Sequence, residues 1–417
     1  MKVYLCIDLK TFFASVECVE RGLDPFTTNL VVADPSRGKG AICLAISPCL
    51  KNQGVRNRCR LFEIPDDISY ITALPRMKYY IDYSANIYSI YLKYFAKEDI
   101  YVYSIDECFI DITHYLSMYK LNPKQLAKKV VKDVYDTTGI TATAGIGTNL
   151  FLAKVALDIR AKHVKDNIGY LDEEEFKKTI WNHRPITDIW NVGPGIAKRL
   201  AKYGVYDLKG VSEMDEKILY KEFGVNAEYL IDHSKGFEPC TIKDIHEYVP
   251  ENNSLSTGQI LFEDYKYEDA LLALKEMVEL GVLGLVDKHV VTNVISLSIG
   301  YSDDVIKPTG GSMKLDGYTN SYAKLKDYFV NLFIKTTNKN QLIRRINIGF
   351  GNVKDEIYRS LDLFSDEEKE EKERKIQETI LNIKKKYGKN SILKAMNLKE
   401  KATTTKRNKL IGGHNAE

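Results

Sequence analysis

Three acidic residues lie where a protein could bind divalent cations. Asp8 ends a short apolar strand, KVYLCID, and Asp106 and Glu107 lie between two strand-like runs in YVYSIDECFIDIT. A carboxylate at a strand end and a carboxylate pair in a hairpin can hold two ions about 3.5–4 Å apart, which clamp the attacking and leaving oxygens of a phosphoryl transfer. If the three residues converge, the protein joins or breaks phosphate esters.

Length and composition narrow the class of protein. The 417 residues predict two to four domains, since domains average roughly 100–200 residues. The net charge is only +3, so any surface that binds nucleic acid must be local. The seven cysteines form no CxxC pair, which favours free thiols in a reducing compartment over disulfides or a zinc site. With no signal-peptide pattern and no apolar run of about 20 residues, we expect a soluble, cytoplasmic protein that binds no membrane.

The first 170 residues predict a mixed α/β unit that would position the carboxylates. Its clearest helix follows the capping residue Asn122, has Pro123 in its first turn and stops at Gly139. Strands are expected at 2–8, 29–34, 40–46 and 140–146, with a hairpin at 100–113 and helices at 11–21, 76–96 and 149–159.

Two further regions have different patterns. Residues 171–240 predict short helices, and two helical pieces flank a loop that contains Gly193 and Gly195. This arrangement resembles a helix-hairpin-helix, in which glycines allow close approach to a phosphate backbone. Residues 254–352 alternate strand and helix periods in the order β-α-β-β-α-β. Beyond them we expect a charged helix around Ile376–Ile383 and a disordered basic end.

The motifs DLKTFFASVE, YSIDECFID and GIGTNLFLAKVA together resemble the Y-family of translesion DNA polymerases. The likeness is to the polymerase V catalytic-subunit branch, of ImpB/MucB/SamB type, and runs from residue 1 to about 400. It implies an α+β, multidomain, right-hand polymerase with a helix-hairpin-helix thumb and a β-α-β-β-α-β little finger. The expected bounds are 1–10 and 75–170 for the palm, 11–74 for the fingers, 171–240 for the thumb, 245–352 for the little finger and 353–417 for a clamp-binding peptide and a helical or disordered tail.

The resemblance implies roles for the carboxylates. Asp8 and Asp106 would bind both of two Mg²⁺ ions, Glu107 the ion that activates the primer 3′-hydroxyl, and the Leu9 carbonyl the ion on the nucleotide side. Mg²⁺ prefers such hard oxygen ligands. The implied reaction is error-prone, template-directed addition of a dNTP to primer-template DNA past damaged bases, with release of pyrophosphate.

Nucleotide contacts are implied for four residues. Phe13 matches the aromatic steric gate that excludes a 2′-hydroxyl, and Phe12 is either a neighbour of the nucleotide or a core anchor. Many relatives place a Tyr and an Arg on the phosphates, whereas this chain has Pro48 and Lys51 there. Lys51 supplies a point charge without the bidentate fork of Arg. Lys162 resembles a second phosphate-binding lysine of the family.

Contacts with DNA and a protein partner are implied as well. Gly193 and Gly195 would grip DNA from the thumb, and Lys314, Arg344 and Arg345 from the little finger. The segment SLDLF resembles a peptide that binds the replication sliding clamp, through Leu361, Asp362, Leu363 and Phe364, although these apolar residues could instead fold back on the chain itself. Accessory polymerase subunits or a recombinase filament stay open as further partners.

Two other classes of function stay open at the level of sequence. One is a catalytically silent DNA-binding paralogue, which the presence of all three carboxylates disfavours. The other is a palm-type nucleotidyl cyclase, which would have no use for a DNA-gripping thumb and little finger.

Overall fold

The computed structural model describes residues 2–250, 253–360 and 367–417. The chain divides into two compact units, one up to Tyr248 and one from Val249 to Ala416. Both units contain helices and mainly antiparallel sheets, as the α+β prediction requires. None of the helices in the described ranges is long and apolar enough to cross a membrane.

A five-stranded sheet is the centre of the first unit. Its order is β5-β6-β1-β7-β8, and β1 is antiparallel to both of its neighbours, β6 and β7. A smaller sheet has the order β3-β2-β4. The eight strands are β1 (Tyr4–Leu9), β2 (Leu30–Val32), β3 (Ala45–Ile46), β4 (Ile71–Ala73), β5 (Ile100–Val102), β6 (Glu107–Asp111), β7 (Ala142–Gly147) and β8 (Ile168–Leu171).

Helices cover these sheets and continue into an all-helical region after residue 172. Those before it are α1 (Phe12–Val19), α2 (Pro48–Asn52), α3 (Met77–Tyr91), α4 (Thr113–Tyr119), α5 (Pro123–Thr138) and α6 (Leu150–Val155). Those after it are α7 (Glu173–Thr179), α8 (Pro194–Ala201), α9 (Leu208–Glu213), α10 (Glu216–Phe223), α11 (Ala227–Ser234) and α12 (Ile242–Glu247).

The central sheet is buried on both faces because its side chains alternate between two cores. Leu5 and Ile7 pack with the helices α1, α3 and α5 on one face, whereas Tyr4 and Cys6 pack with α6 on the other. Strand β7 allows α6 to approach very closely, because a Cβ at Gly145 would lie 2.1 Å from the Ala153 carbonyl oxygen. The close packing of α6 determines which of its side chains reach the end of β1.

The second unit confirms the predicted β-α-β-β-α-β order. Its sheet has the order β11-β10-β12-β9 with antiparallel neighbours, and α13 and α14 bury their apolar residues against one face. The elements are β9 (Leu255–Tyr265), α13 (Tyr267–Asp287), β10 (Val290–Tyr301), β11 (Thr309–Thr319), α14 (Tyr322–Thr336) and β12 (Ile343–Gly351), followed by β13 (Lys354–Asp355).

The end of the chain corrects one expectation. The charged helix is present as α15 (Glu367–Tyr387), but the basic stretch after it is ordered and not disordered. It forms α16 (Thr404–Arg407), β14 (Leu410–Ile411) and β15 (His414–Asn415). The reason is a buried carboxylate on α13: Glu276 accepts hydrogen bonds from the amides of Thr403 and Thr404 and from the Asn397 side chain, at 2.6, 3.3 and 3.0 Å. A local reading of polar residues could not reveal these partners.

Candidate metal and nucleotide site

The backbone of the central sheet brings the three predicted carboxylates to one place. Asp8 and Glu107 are directly opposite each other in the pairing of β1 with β6. The Leu9 amide donates to the Asp106 carbonyl at 2.9 Å, and the amides of Tyr103 and Ser104 both donate to the Glu107 carbonyl at 3.0 Å. Residues that are far apart in the chain are thus on adjacent strands.

The side chains of two of these residues are bound by protein donors. Asp106 Oδ1 accepts from Ser104 Oγ at 2.7 Å. Glu107 Oε1 lies 2.8 Å from Lys154 Nζ and accepts from Cys6 Sγ at 3.2 Å. In the described parts of the chain, no three Asp, Glu, His or Cys side chains converge as a metal-binding group. The carboxylate donor set suits Mg²⁺, so metal binding would require Glu107 and Asp106 to exchange these protein donors for the ion.

Lys154 is a functional candidate that the sequence analysis missed. It is on α6, only 7% exposed, and it also contacts Asp158 Oδ2 at 2.9 Å. Burial disfavours its charged form, but Asp158 and then other acidic neighbours, including Glu107, offset this and raise its pKa. A lysine within the apolar run NLFLAKVALDI was the available signal, because a buried cation requires a partner.

A π-helical turn, Ala156–Arg160, follows α6. The wider turn accommodates an extra residue before the short helix Ala161–His163, in which Lys162 lies. Lys162 Nζ contacts Asp158 Oδ1 at 2.8 Å. Asp158 therefore bridges Lys154 and Lys162, which links Glu107 to the predicted phosphate-binding lysine.

Asp8 is in an environment that is unfavourable for a bare carboxylate. Its pKa is raised to about 7, mainly by burial and also by the charges of Asp106 and Glu107, while Lys162 and Lys154 act in the opposite direction. Cations that bind at this position would relieve the cost of the negative charge. The electrostatics thus suit a metal ligand.

The two predicted aromatic residues have different environments. Phe13 is partly exposed and stacks on Tyr80, with ring centroids 4.6 Å apart and planes at 20°. The Tyr80 hydroxyl donates to Glu17 Oε1 at 2.7 Å, and Arg76 Nε donates to the same oxygen at 2.8 Å. Phe13 is therefore held by a fixed ring. Phe12, only 2% exposed, is in the core, which favours the anchor interpretation over a nucleotide contact.

The predicted lysines are both near Asp8. Lys51 is exposed at the end of α2, whose first residue is the buried Pro48 and whose cap is Ser47. Burial lowers the Lys51 pKa, as does the charge of Lys162, while Asp8 raises it. A third lysine, Lys10, was not anticipated by the sequence analysis. Burial lowers the Lys10 pKa, as does the charge of Lys162, while Asp8 raises it.

The predicted glycines of the helical region face open space. A Cβ at Gly193 or Gly195 would meet nothing within 4 Å, and Gly193 has an ordinary φ of −82° as the cap of α8. Neither internal packing nor backbone conformation therefore requires a glycine at 193. Just before this loop, Trp190 Nε1 donates to the Tyr103 hydroxyl at 3.2 Å, so the loop is connected to the hairpin that carries Asp106.

In the second unit, the sheet face opposite the helices is formed mainly by small polar residues. Cross-strand rows run through Ser256, Gly349, Ser296 and Ser312 and through Gly258, Asn347, Ser298 and Gly310. Lys314 is two residues from Ser312 and Arg345 is two residues from Asn347, so both side chains lie on this same face, and both are exposed. Arg344 instead lies at a register shift and contacts Asp264 at 3.4 Å. The candidate clamp-binding residues Leu361, Asp362, Leu363 and Phe364 lie outside the described residues.

Comparison with known proteins identifies the class of fold. A solved Y-family DNA polymerase chimera of Dbh and Dpo4 matches with a TM-score of 0.65 and 20% identity, over 85% of this chain and 99% of its own. Models of the impB/mucB/samB family match residues 7–158, and those of its C-terminal domain residues 252–363.

The chain belongs to the impB/mucB/samB family, and the predicted Y-family polymerase class is confirmed. It is 31% identical to the putative UV-damage repair protein UvrX of Bacillus subtilis (strain 168), over 99% of this chain and 97% of that protein. It is 29% identical to DNA polymerase IV 2 of the same organism, over 99% of this chain and 98% of that protein. The protein is thus a DNA-directed DNA polymerase.

Proposed function

We propose that this polymerase adds nucleotides by a two-metal reaction at Asp8, Asp106 and Glu107. The observation that carries the proposal is the direct pairing of Asp8 with Glu107, beside the bond between Leu9 and Asp106. Magnesium ions held by these carboxylates and the Leu9 carbonyl would supply the positive charge that a phosphoryl transfer requires. The raised pKa of Asp8 supports the same proposal, because a bound cation would favour the ionised carboxylate.

The other residues of the site would bind and orient the substrates. Lys51 and Lys162 would neutralise the phosphates of a dNTP, and Phe13, held flat by Tyr80, would exclude a 2′-hydroxyl by contact. The open space around Gly193 and Gly195 supports close contact of their loop with a phosphate backbone. The Ser-, Gly- and Asn-rich sheet face, with Lys314, would contact the DNA backbone without reading sequence. Arg345 and Arg344 would contribute after release from Asp304 and Asp264.

Synthesis past damaged bases is the cellular role that we propose. The names of two relatives, the UV-damage repair protein UvrX and DNA polymerase IV 2, support this role. The short segment between β1 and α3 that would form the fingers supports a loosely enclosed base pair. We also propose that Leu361, Asp362, Leu363 and Phe364 bind a sliding clamp, which a peptide of residues 357–367 tests by its affinity for that protein.

Primer extension on undamaged and damaged templates tests the proposed reaction. We expect the wild type to extend both, and Asp106→Ala to lose extension, while the exposed Asp136→Ala serves as the matched control. Extension by Asp106→Ala at the wild-type rate would exclude the metal site. Product analysis with ATP or GTP alone separates a cyclase, which would form a cyclic product without primer.

Sugar discrimination tests Phe13 separately. Phe13→Ala should incorporate ribonucleotides about 100-fold or more better relative to deoxynucleotides, because the steric exclusion is lost. Phe62→Ala, an exposed phenylalanine of the same unit, is the control. Equal discrimination between ribonucleotides and deoxynucleotides in Phe13→Ala and the wild type would exclude Phe13 as the steric gate.

A further inference from the structure

Lys10 lies beside the site, and neither the motifs nor the comparisons assign it a role. Its amide donates to the Thr141 carbonyl at 2.9 Å, and its carbonyl accepts from Ser15 Oγ at 2.6 Å. The next residue, Thr11, has a φ of 45°, in the left-handed region that costs a β-branched residue energy. The backbone therefore holds Lys10 at a sharp, fixed turn directly after Leu9.

The side chain of Lys10 is held by a neutral partner. Its Nζ donates to Asn167 Oδ1 at 2.6 Å. Asn167 is itself fixed, because its carbonyl accepts from the Ala144 amide at 2.8 Å. An ammonium group has three donors, so one bond to an amide leaves two for another acceptor and leaves the charge uncompensated. Lys154 and Lys162 differ, since each contacts the carboxylate of Asp158.

The neighbouring charges indicate what that acceptor is. The charges of Asp8 and Lys162 act on both Lys10 and Lys51, and Lys10 also acts on Lys51, so these lysines lie in one neighbourhood, in which Lys162 already contacts Asp158. Lys10 and Lys51 repel each other, and a polyanion that contacted both would relieve this repulsion. A nucleoside triphosphate, with about four negative charges, is a polyanion of this kind, and two Mg²⁺ ions would balance the carboxylates.

We propose that Lys10 contacts the phosphate chain of the incoming nucleotide and that Asn167 is the positioning residue that aims it. This inference rests on the proposed function, because it assigns the triphosphate to the site of Asp8. The competing explanation is a structural tether, in which Lys10 only joins the turn after β1 to the loop before β8. The two explanations differ in whether nucleotide affinity depends on the charge of residue 10.

Equilibrium affinity for a dNTP tests the proposal without depending on turnover. The full chain is bound to a primer-template whose primer lacks a 3′-hydroxyl, and the matched dNTP is titrated in the presence of Mg²⁺. Lys10→Gln should weaken dNTP binding about tenfold, Lys10→Arg should retain most of it, and Asn167→Ala should weaken it about threefold. DNA affinity should not change in any variant. Lys132→Gln, an exposed lysine of the same unit, is the control.

Each outcome separates the two explanations. Unchanged dNTP affinity in Lys10→Gln would overturn the proposal, whatever happens to the melting temperature. Equal weakening of dNTP and DNA binding would also overturn it, because the lysine would then act as a general basic charge. A wild-type protein that binds no dNTP and extends no primer would instead refute the proposed function, so the two failures are distinguishable.

Discussion

Two buried glutamates, one in each unit, are held in opposite ways. Glu276 on α13 is 1% exposed, and its four hydrogen-bond donors are neutral groups of Asn397, Thr403 and Thr404. Glu107 at the start of β6 is 9% exposed, and its main partner is the ammonium of Lys154. Glu276 binds the end of the chain to the second unit, whereas Glu107 is paired with Asp8 in the proposed metal site.

The difference shows how the kind of partner separates structure from chemistry. Neutral amides and hydroxyls are fixed in place by the backbone and satisfy Glu276 permanently. A lysine on a flexible stem can move from Glu107 when a stronger cation arrives, because its contribution is mainly charge. We therefore expect changes at Glu276 to affect stability and changes around Glu107 to affect activity and the response to metal.

The largest expected effect is on activity. Glu107→Gln should lower the rate of nucleotide addition about a thousandfold, because a neutral amide is a poor ligand for Mg²⁺. Its melting temperature in EDTA should stay close to that of the wild type. Single-turnover primer extension measures the rate, with the exposed Glu98→Gln as control. A Glu107→Gln variant that is fully active but unstable would reverse the comparison.

The second prediction concerns Glu276. Glu276→Ala should lower the free energy of unfolding of the second unit by about 3 kcal/mol, since the donors of Asn397, Thr403 and Thr404 lose their buried acceptor. Urea unfolding measures the loss, and Glu268→Ala, exposed on the same helix, should have little effect. Adding Mg²⁺ should not restore stability. If Mg²⁺ restored the stability of Glu276→Ala, the comparison of the two glutamates would be contradicted, because Mg²⁺ should act at Glu107 and not in the second unit.

The third prediction replaces Lys154, the buried cation that contacts Glu107. Lys154→Met should lower the free energy of unfolding in EDTA by about 2 kcal/mol, because Glu107 loses its buried counter-charge, while Asp158 keeps its contact with Lys162. Mg²⁺ should restore most of that loss, since the ion then neutralises Glu107. Thermal unfolding with and without Mg²⁺ measures both effects. If Mg²⁺ stabilises wild type and variant equally, Lys154 and the metal do not share a ligand.

The smallest expected effect is a gain. Because the pKa of Asp8 is raised to about 7, ionised Asp8 destabilises the folded state. This destabilisation is fully present above pH 7 and is lost as the pH falls from 7 toward 4. Asp8→Asn should therefore raise the free energy of unfolding in EDTA by about 1 kcal/mol at pH 8, and by less at pH 5. Urea titrations at the two pH values measure the gain. A gain that grows toward pH 5 would contradict the assigned cause.

Local patterns predicted elements well and long-range partners poorly. The cap at Asn122 and the stop at Gly139 correctly bound α5, and the strand and helix periods of the second unit were correct. The contact of Lys154 with Glu107 could not be predicted, because it depends on the close packing of α6 against Gly145. The order of the chain's last residues likewise depends on Glu276, which is far away in sequence. Motif resemblance proposed the three carboxylates and Lys162, but it did not indicate Lys154, which contacts Glu107.

Counting bound metal ions tests the central claim most directly. The wild type is assembled with primer-template DNA that lacks a 3′-hydroxyl and with a matched dNTP, and Mn²⁺ is titrated as a paramagnetic substitute for Mg²⁺ and followed by EPR. We predict two tightly bound ions for each wild-type complex and a loss of tight binding in Asp8→Asn. Equal numbers of tightly bound ions in the wild type and in Asp8→Asn would contradict a metal site built on Asp8, Asp106 and Glu107.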